Sequence, residues 1–233
     1  MGLISMGVPQ DITLRLASLG GAKVFVESGT FHGGTTKWAA KHFSEVHTIE
    51  RDEQLFRTHR DELTALKGVK TYLGDSRKKL PEILEKIGDQ SAVFWLDGHW
   101  SGTGTAGERD ECPLLDELQC LSERRSDIIL IDDARFFLSA PPPPHNPQQW
   151  PTLLDIMSVF SMDSTTYFMQ VIDDVIFIVP RHGPVVDGLV EHAQTRAAEV
   201  AAHYHRQQKS YWFRLLRAFD RVIRCWKNLK KET

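Results

Sequence analysis

The chain has 233 residues, 41% hydrophobic and 25% charged, with a net charge of −3. That suits one globular domain with a sizeable core plus an appendage, and the overall charge gives no pull toward nucleic acid. No run approaches the ~20 apolar residues that span a bilayer, and MGLISMGVPQ lacks the basic and apolar regions of a signal peptide, so the expected location is the cytoplasm.

In chain order, Pro9 to Leu19 predicts a short helix stopped by Gly20 and Gly21. Lys23 to Glu27 predicts a buried strand that runs into Ser28-Gly29-Thr30 and Gly33-Gly34. Such a turn exposes bare backbone to a ligand, and the helix start beyond it offers free N–H groups. Its spacing, E-x-G-x-x-x-G, is not the G-x-G-x-x-G of dinucleotide binders. A carboxylate in the turn suits a ligand that is cationic or rich in N–H donors there. Thr35 to Phe43 follows as a helix. Glu45 to Glu50 alternates as a second strand and ends on an acid about 20 residues after the turn, placed to accept from both hydroxyls of a ribose. Asp52 caps the next helix, closed by Gly68. Val69, Tyr72 and Leu73 lead as a third strand into Gly74-Asp75-Ser76 and a helix that ends at Gly88; Asp75 or Ser76 can cap it.

Ser91 to Trp100 predicts a central parallel strand ending on Asp97-Gly98-His99. After a glycine-rich loop, a helix begins near Pro113. Ser126 to Phe137 predicts another central strand, ending on Asp132-Asp133. Four consecutive prolines make the next segment a stiff extended loop, and Trp150-Pro151 opens a helix. Thr165 to Ile172 and Val175 to Val179 predict an antiparallel hairpin, whose turn pair Asp173-Asp174 is assigned no chemistry. Beyond Pro184 two helical segments are expected, Val185 to about Gln207 and Lys209 to Lys230. Cys112, Cys120 and Cys225 are too scattered for a disulfide framework or zinc cluster.

Ligands of open α/β sheets bind outside the carboxyl ends of the strands. That edge collects Glu27, Glu50, Asp75, Asp97, Asp132 and Asp133. The last three fall on neighbouring strands, where carboxylates raise one another's pKa unless a cation sits among them. A hard divalent ion, most simply Mg²⁺, would resolve the conflict; the plainer alternative is that Asp132 and Asp133 cap the following loop.

The glycine turn, the acid ending the second strand and the Gly-Asp after the third resemble class I S-adenosylmethionine-dependent methyltransferases. DGHW and IDDARFF resemble the metal-dependent sugar O-methyltransferases of the macrocin type. The resemblance covers roughly Val24 to Val179. It implies an α/β, Rossmann-like, doubly wound sheet of seven strands, ordered 3-2-1-4-5-7-6 with the last strand antiparallel. That domain would occupy residues 1–183, with amphipathic basic helices at 184–233 as a C-terminal extension. The cofactor, S-adenosylmethionine, would lie on Glu27, Ser28, Gly29, Thr30, Gly33, Thr35, Glu50, Asp75, Ser76 and Asp97. Asp97, Asp132 and Asp133 would hold Mg²⁺. Asp97 and His99 would be the catalytic pair, His99 standing where the family has an acid as base; imidazole is a competent base near neutral pH. The implied acceptor is a hydroxyl on a small molecule, sugar or glycan. Trp100, His145 and Trp150 lie in loops flanking the edge, able to stack on a sugar ring or to pack the core. Two other readings stand beside this one. A nicotinamide-dependent oxidoreductase is disfavoured by the missing G-x-G-x-x-G; a catalytically silent nucleoside-binding module is opposed only by the carboxylates and His99.

From Lys209 onward eight basic residues face two acidic ones, +6, leaving −9 for the rest, which argues against nucleic acid as a partner. Tyr211, Trp212, Leu215, Leu216, Phe219, Val222, Ile223, Trp226 and Leu229 recur at helical spacing with basic residues between them. Such a helix packs on the domain, self-associates through 209–230, or lies peripherally on the anionic inner face of a membrane.

Overall fold

The computed structural model describes residues 7–102, 104–160 and 165–229, the stretch 209–229 as backbone only. Seven strands form one sheet in the order β3-β2-β1-β4-β5-β7-β6, as the sequence implies. Five are parallel: β1 (Val24–Ser28), β2 (Glu45–Glu50), β3 (Val69–Leu73), β4 (Ala92–Leu96) and β5 (Ile128–Ile131). β7 (Val175–Pro180) runs antiparallel to β5 and pairs with β6 (Tyr167–Ile172) as the hairpin. Every residue of β1, β4 and β5 is buried, because helices cover both faces of a parallel sheet; β3, at the edge, is mostly half-buried or exposed.

The helices are α1 (Gln10–Gly20), α2 (Gly34–Ala39), α3 (Glu53–Thr64), α4 (Ser76–Ile87), α5 (Leu114–Leu121), α6 (Arg135–Leu138), α7 (Leu153–Val159) and α8 (Pro184–Leu229). Asp52 and Asp75 cap α3 and α4, accepting from Leu55 N and Arg77 N. Three expectations change. The strand expected over Ser91 to Trp100 stops at Leu96. The one expected over Ser126 to Phe137 stops at Ile131. There Asp132 Oδ1 accepts from Asp133 N at 2.8 Å, Asp133 turns to φ 56°, and the chain enters α6. The two C-terminal segments are one helix, since Gln207-Gln208-Lys209-Ser210 holds no glycine or proline to break it.

The chain divides into two compact units, Met1–Val190 and Glu191–Thr233. In the first, the opening turns of α8 pack on α1: Val185 and Leu189 are buried, and a Cβ on Gly188 would meet Leu19 at 2.5 Å. The second consists of the rest of α8; its apolar and basic pattern from Tyr211 on falls where the structure describes no side chains. Among the described residues no helix is long and apolar enough to cross a membrane.

One buried knot joins β1, α2 and β2. Glu27, only 1% exposed, receives Thr36 Oγ1 at 2.5 Å and Thr48 Oγ1 at 2.7 Å on its Oε2, and Thr48 Oγ1 lies 2.5 Å from Thr30 Oγ1. Burial pushes the Glu27 carboxyl up to about 7, against the pull of these hydroxyls. Beside it the chain turns at Gly29 (φ +87°), where a Cβ would stand 2.2 Å from the Asp97 carbonyl oxygen.

Two tests follow from this core. Gly29→Ala should cost about 2 kcal/mol or more by denaturant midpoint, because it adds a backbone collision to left-handed strain. Gly21→Ala, equally left-handed but with nothing within 4 Å, should cost about 1 kcal/mol; equal losses would contradict the contact. For Glu27, the native state keeps a proton that the unfolded chain gives up near 4.5, so its contribution to stability falls as pH rises from there to about 7. Glu27→Gln removes that slope. The stability of the variant minus that of wild type, from urea melts, should rise across this window and level off above it; a flat difference would place the proton elsewhere.

Candidate active site

The strand ladders stop together at the carboxyl edge, and the last backbone bonds lock the turns that follow. Gly29 N and Thr30 N both donate to Ile49 O, Gly74 N to Glu50 O, Asp97 N to Ser28 O and Asp132 N to Leu96 O. Along this edge lies a cavity of about 450 Å³, within the range of small-molecule sites. Of the residues singled out by sequence, Gly29, Glu50, Asp75, Ser76, Asp97, His99, Asp132 and Asp133 line it. Glu27, Ser28, Thr30, Gly33 and Thr35 do not. Glu27 is spent on Thr36 and Thr48, so it acts on the turn from beneath and its carboxyl does not face the cavity.

At the β2 end, Glu50 is 7% exposed. Its Oε2 accepts from Phe31 N and its Oε1 from Asp52 N, both at 2.8 Å. Burial raises its pKa, and the two amides oppose the rise. Each oxygen keeps a second lone pair, so the carboxylate can still accept from a ligand's hydroxyls. Asp75 not only caps α4 but takes the fork of Arg77, Nε to Oδ1 at 2.9 Å and Nη2 to Oδ2 at 2.6 Å, which holds its carboxyl below the usual range. Arg77 also binds the Asp110 carboxylate, and Arg51 reaches the Asp110 carbonyl at 3.3 Å. The two arginines therefore tie the loop after β4, whose Ser101, Thr105 and Ala106 line the cavity, to the β2 and β3 turns. The sequence reading passed over both, although Arg51 directly follows Glu50 and Arg77 lies two residues past Asp75.

At the β4 and β5 end, His99 Nε2 lies 2.7 Å from Asp133 Oδ2 and 3.8 Å from Asp97 Oδ1. Burial alone would lower the imidazole's pKa, but the bond to Asp133 and the nearby acidic charges hold it above its ordinary value. Asp97 is pushed well up by burial and by Asp132 and Asp133, with His99 opposing. Asp132 rises to about 6, from burial and the charge of Asp133. Asp133 goes the other way: burial would raise it, but His99 and Arg135 override that and keep it ionised. Arg135 Nη1 sits 2.6 Å from Asp133 Oδ1 and binds Asp174 behind it. The hairpin turn, set aside on sequence, thus supplies a buried anchor to the site.

The wall beyond His99 rests on Glu111, 3% exposed, which gathers the proline-rich loop. It accepts from Trp150 Nε1 at 2.6 Å and Asn146 N at 2.8 Å, with His145 Nδ1 at 3.1 Å. Trp100 and Trp150 are buried, so they pack this wall; His145 and Phe136 line the cavity, as does part of Trp100.

The residues fit a nucleoside cofactor. The floor at Gly29 admits no side chain, and Glu50 offers acceptors at the β2 end. They do not fit a divalent metal as the resemblance implies it. Asp133 already faces the fixed positive charge of Arg135 on Oδ1 and His99 on Oδ2, so a divalent ion bound there would meet like charge, and Asp132 Oδ1 is turned to Asp133 N. Among the described residues no three His, Cys, Asp or Glu side chains are gathered around a common point for an ion.

No protein-family model matches the sequence, and no curated protein matches it. Among solved structures, the chain is similar to a putative caffeoyl-CoA O-methyltransferase from Staphylococcus aureus, at 14% identity and a TM-score of 0.52, covering 77% of this chain and 86% of that one. It is also similar to a putative methyltransferase from Streptococcus mutans in complex with SAH, at 13% identity and a TM-score of 0.45, covering 75% and 98%. With the strand order above, the first likeness establishes the fold: the chain has the seven-stranded, Rossmann-like methyltransferase fold.

Proposed function

We propose that this chain transfers a methyl group from S-adenosylmethionine to a hydroxyl on a small-molecule or glycan-like acceptor. The observation that carries the reading is the bond between His99 and Asp133 at one end of a cavity whose other end presents Glu50. β1 and β4 lie between β2 and β5, so the two ends are roughly 14 Å apart at ordinary strand spacing. That separation suits a nucleoside at one end and a reacting group at the other.

The bound cofactor supplies an electrophilic methyl group and needs no redox partner. Glu50 accepts from the ribose hydroxyls with its free lone pairs. Gly29 gives the floor of bare backbone, and Asp75 and Ser76 flank the base. Asp133 stays ionised and accepts the hydrogen bond from His99 Nε2–H, which leaves the Nδ1 lone pair to receive the acceptor's proton as its oxygen attacks. Trp100, Phe136 and His145 wall that end against water and offer ring faces to a sugar. Most of the rate gain comes from holding hydroxyl and methyl in contact. Mg²⁺ forms no part of the reading, because the fixed positive charge of Arg135 already sits on Asp133.

The test is calorimetric titration with S-adenosylmethionine and S-adenosylhomocysteine, followed by transfer assays on a panel of hydroxyl acceptors. Wild type should bind both. His99→Ala should bind them within about threefold of wild type but lose transfer by 100-fold or more, as expected for a general base. Glu50→Gln should weaken binding about tenfold or more, the loss of charge-assisted bonds. Binding of NADH in place of both ligands would overturn the proposal. Binding without transfer to any acceptor would leave a nucleoside-binding module.

For residues 209–230 we propose peripheral contact with an anionic membrane surface, supported by nine apolar residues at helical spacing and seven basic residues on the other faces. The full chain should pellet with phosphatidylserine vesicles at about 0.1 M salt and not with neutral ones, and Arg217, Arg221 and Arg224 changed to Glu should release it. A wild-type chain that stays in the supernatant while sedimenting as a dimer would favour self-association instead.

A further inference from the structure

The end of β5 is built around a cation. Asp174, 6% exposed, accepts from Arg135 N at 3.0 Å on Oδ1 and from the Arg135 guanidinium on Oδ2, and its carbonyl accepts from Ala134 N at 2.8 Å. The Phe136 ring lies 4.4 Å from the same guanidinium. Held from these sides, Arg135 presents Nη1 to Asp133 Oδ1 and still lines the cavity. Asp133 is held between two partners: Oδ1 faces Arg135 and Oδ2 faces His99. Its backbone is fixed in the left-handed region, uncommon for a residue with a side chain, by the bonds of Ala134 to Asp174 and of Phe136 N to Asp133 O.

Three carboxylates crowded together and partly withdrawn from water need protons, cations or strong donors. A divalent ion is one answer, and beside Asp133 it would meet the fixed positive charge of Arg135. A guanidinium is always charged and sheds water more readily than an ammonium, and here its Nη1 serves two carboxylates, Asp133 and Asp174.

We propose that Arg135, clamped by Asp174, is the built-in cation at the Asp133 corner of the Asp97, Asp132 and Asp133 cluster, standing where a divalent ion would otherwise be required and holding Asp133 against His99. Arg135 is then a positioning residue, and Asp174 is its anchor. The inference concerns the same site as the proposed methyl transfer, and rests on that reading only where activity is measured.

The test is Mn²⁺ uptake by the full chain, followed by loss of the free-ion signal in electron paramagnetic resonance. Wild type and Arg135→Lys should take up no stoichiometric Mn²⁺ into the millimolar range. Arg135→Ala leaves the carboxylates without their fixed cation and should take up one equivalent, at least about tenfold more tightly than wild type. Adding Asp132→Asn should abolish that gain. Asp174→Asn, which keeps the side-chain shape and only loosens Arg135, should show a smaller gain and serves as the deciding variant if Arg135→Ala does not melt cooperatively. Stoichiometric uptake by wild type, lost in Asp132→Asn, overturns the proposal. So does a folded Arg135→Ala, or failing that a folded Asp174→Asn, with no gain. In the activity arm, wild-type transfer should be equal in EDTA and in Mg²⁺, while Arg135→Ala should lose transfer and regain part of it with Mn²⁺. A chain that binds no S-adenosylmethionine defeats the proposed function, and the ion-uptake result still judges this inference.

Discussion

Six acids gathered at one edge of a buried sheet set the terms for the rest of this structure. A carboxylate that loses its water must be protonated, hydrogen-bonded or paired, since an isolated ion in the interior is too costly to keep. The chain answers differently at each strand end. Glu27 holds a proton to near neutral pH and meets hydroxyls. Glu50 takes two backbone amides. Asp75 takes the fork of Arg77. Asp97 and Asp132 are pushed toward the neutral form, and Asp133 stays ionised between His99 and Arg135.

The sheet was legible because its signal is local. Continuous apolar runs, each ending on an acid or a glycine, mark parallel strands, and the short acidic gap marks the hairpin; the order 3-2-1-4-5-7-6 then came from the resemblance. The strand ends were less legible. IDDARFF reads as one strand by hydrophobicity, yet the turn at Asp133 bends it into α6, and that turn is fixed by a hairpin residue 39 positions from Arg135. The same distance hid the role of Asp174: an Asp-Asp between two strands looks like turn chemistry until Arg135 is seen to reach it. Glu27 shows the converse. Its place at the end of β1 was plain from sequence, but the hydroxyls of Thr36 and Thr48, which decide where its carboxyl points, have no periodicity to announce them.

Two adjacent residues connect the ends of the cavity. Asp110 is bound by Arg77 and Arg51 at the β2 and β3 side, while Glu111 gathers Trp150, His145 and Asn146 at the other. Trp100 N donates to Glu111 O at 2.7 Å, and Glu111 N donates to Gln149 Oε1 at 2.9 Å, so the loop after β4 is pinned along its length. Asp110 remains partly solvated, at 42% side-chain exposure, and its ion pairs are weakened by water; Glu111 is buried with several donors and is costly to release. The loop is therefore held more loosely beside the β2 and β3 turns than beside His99.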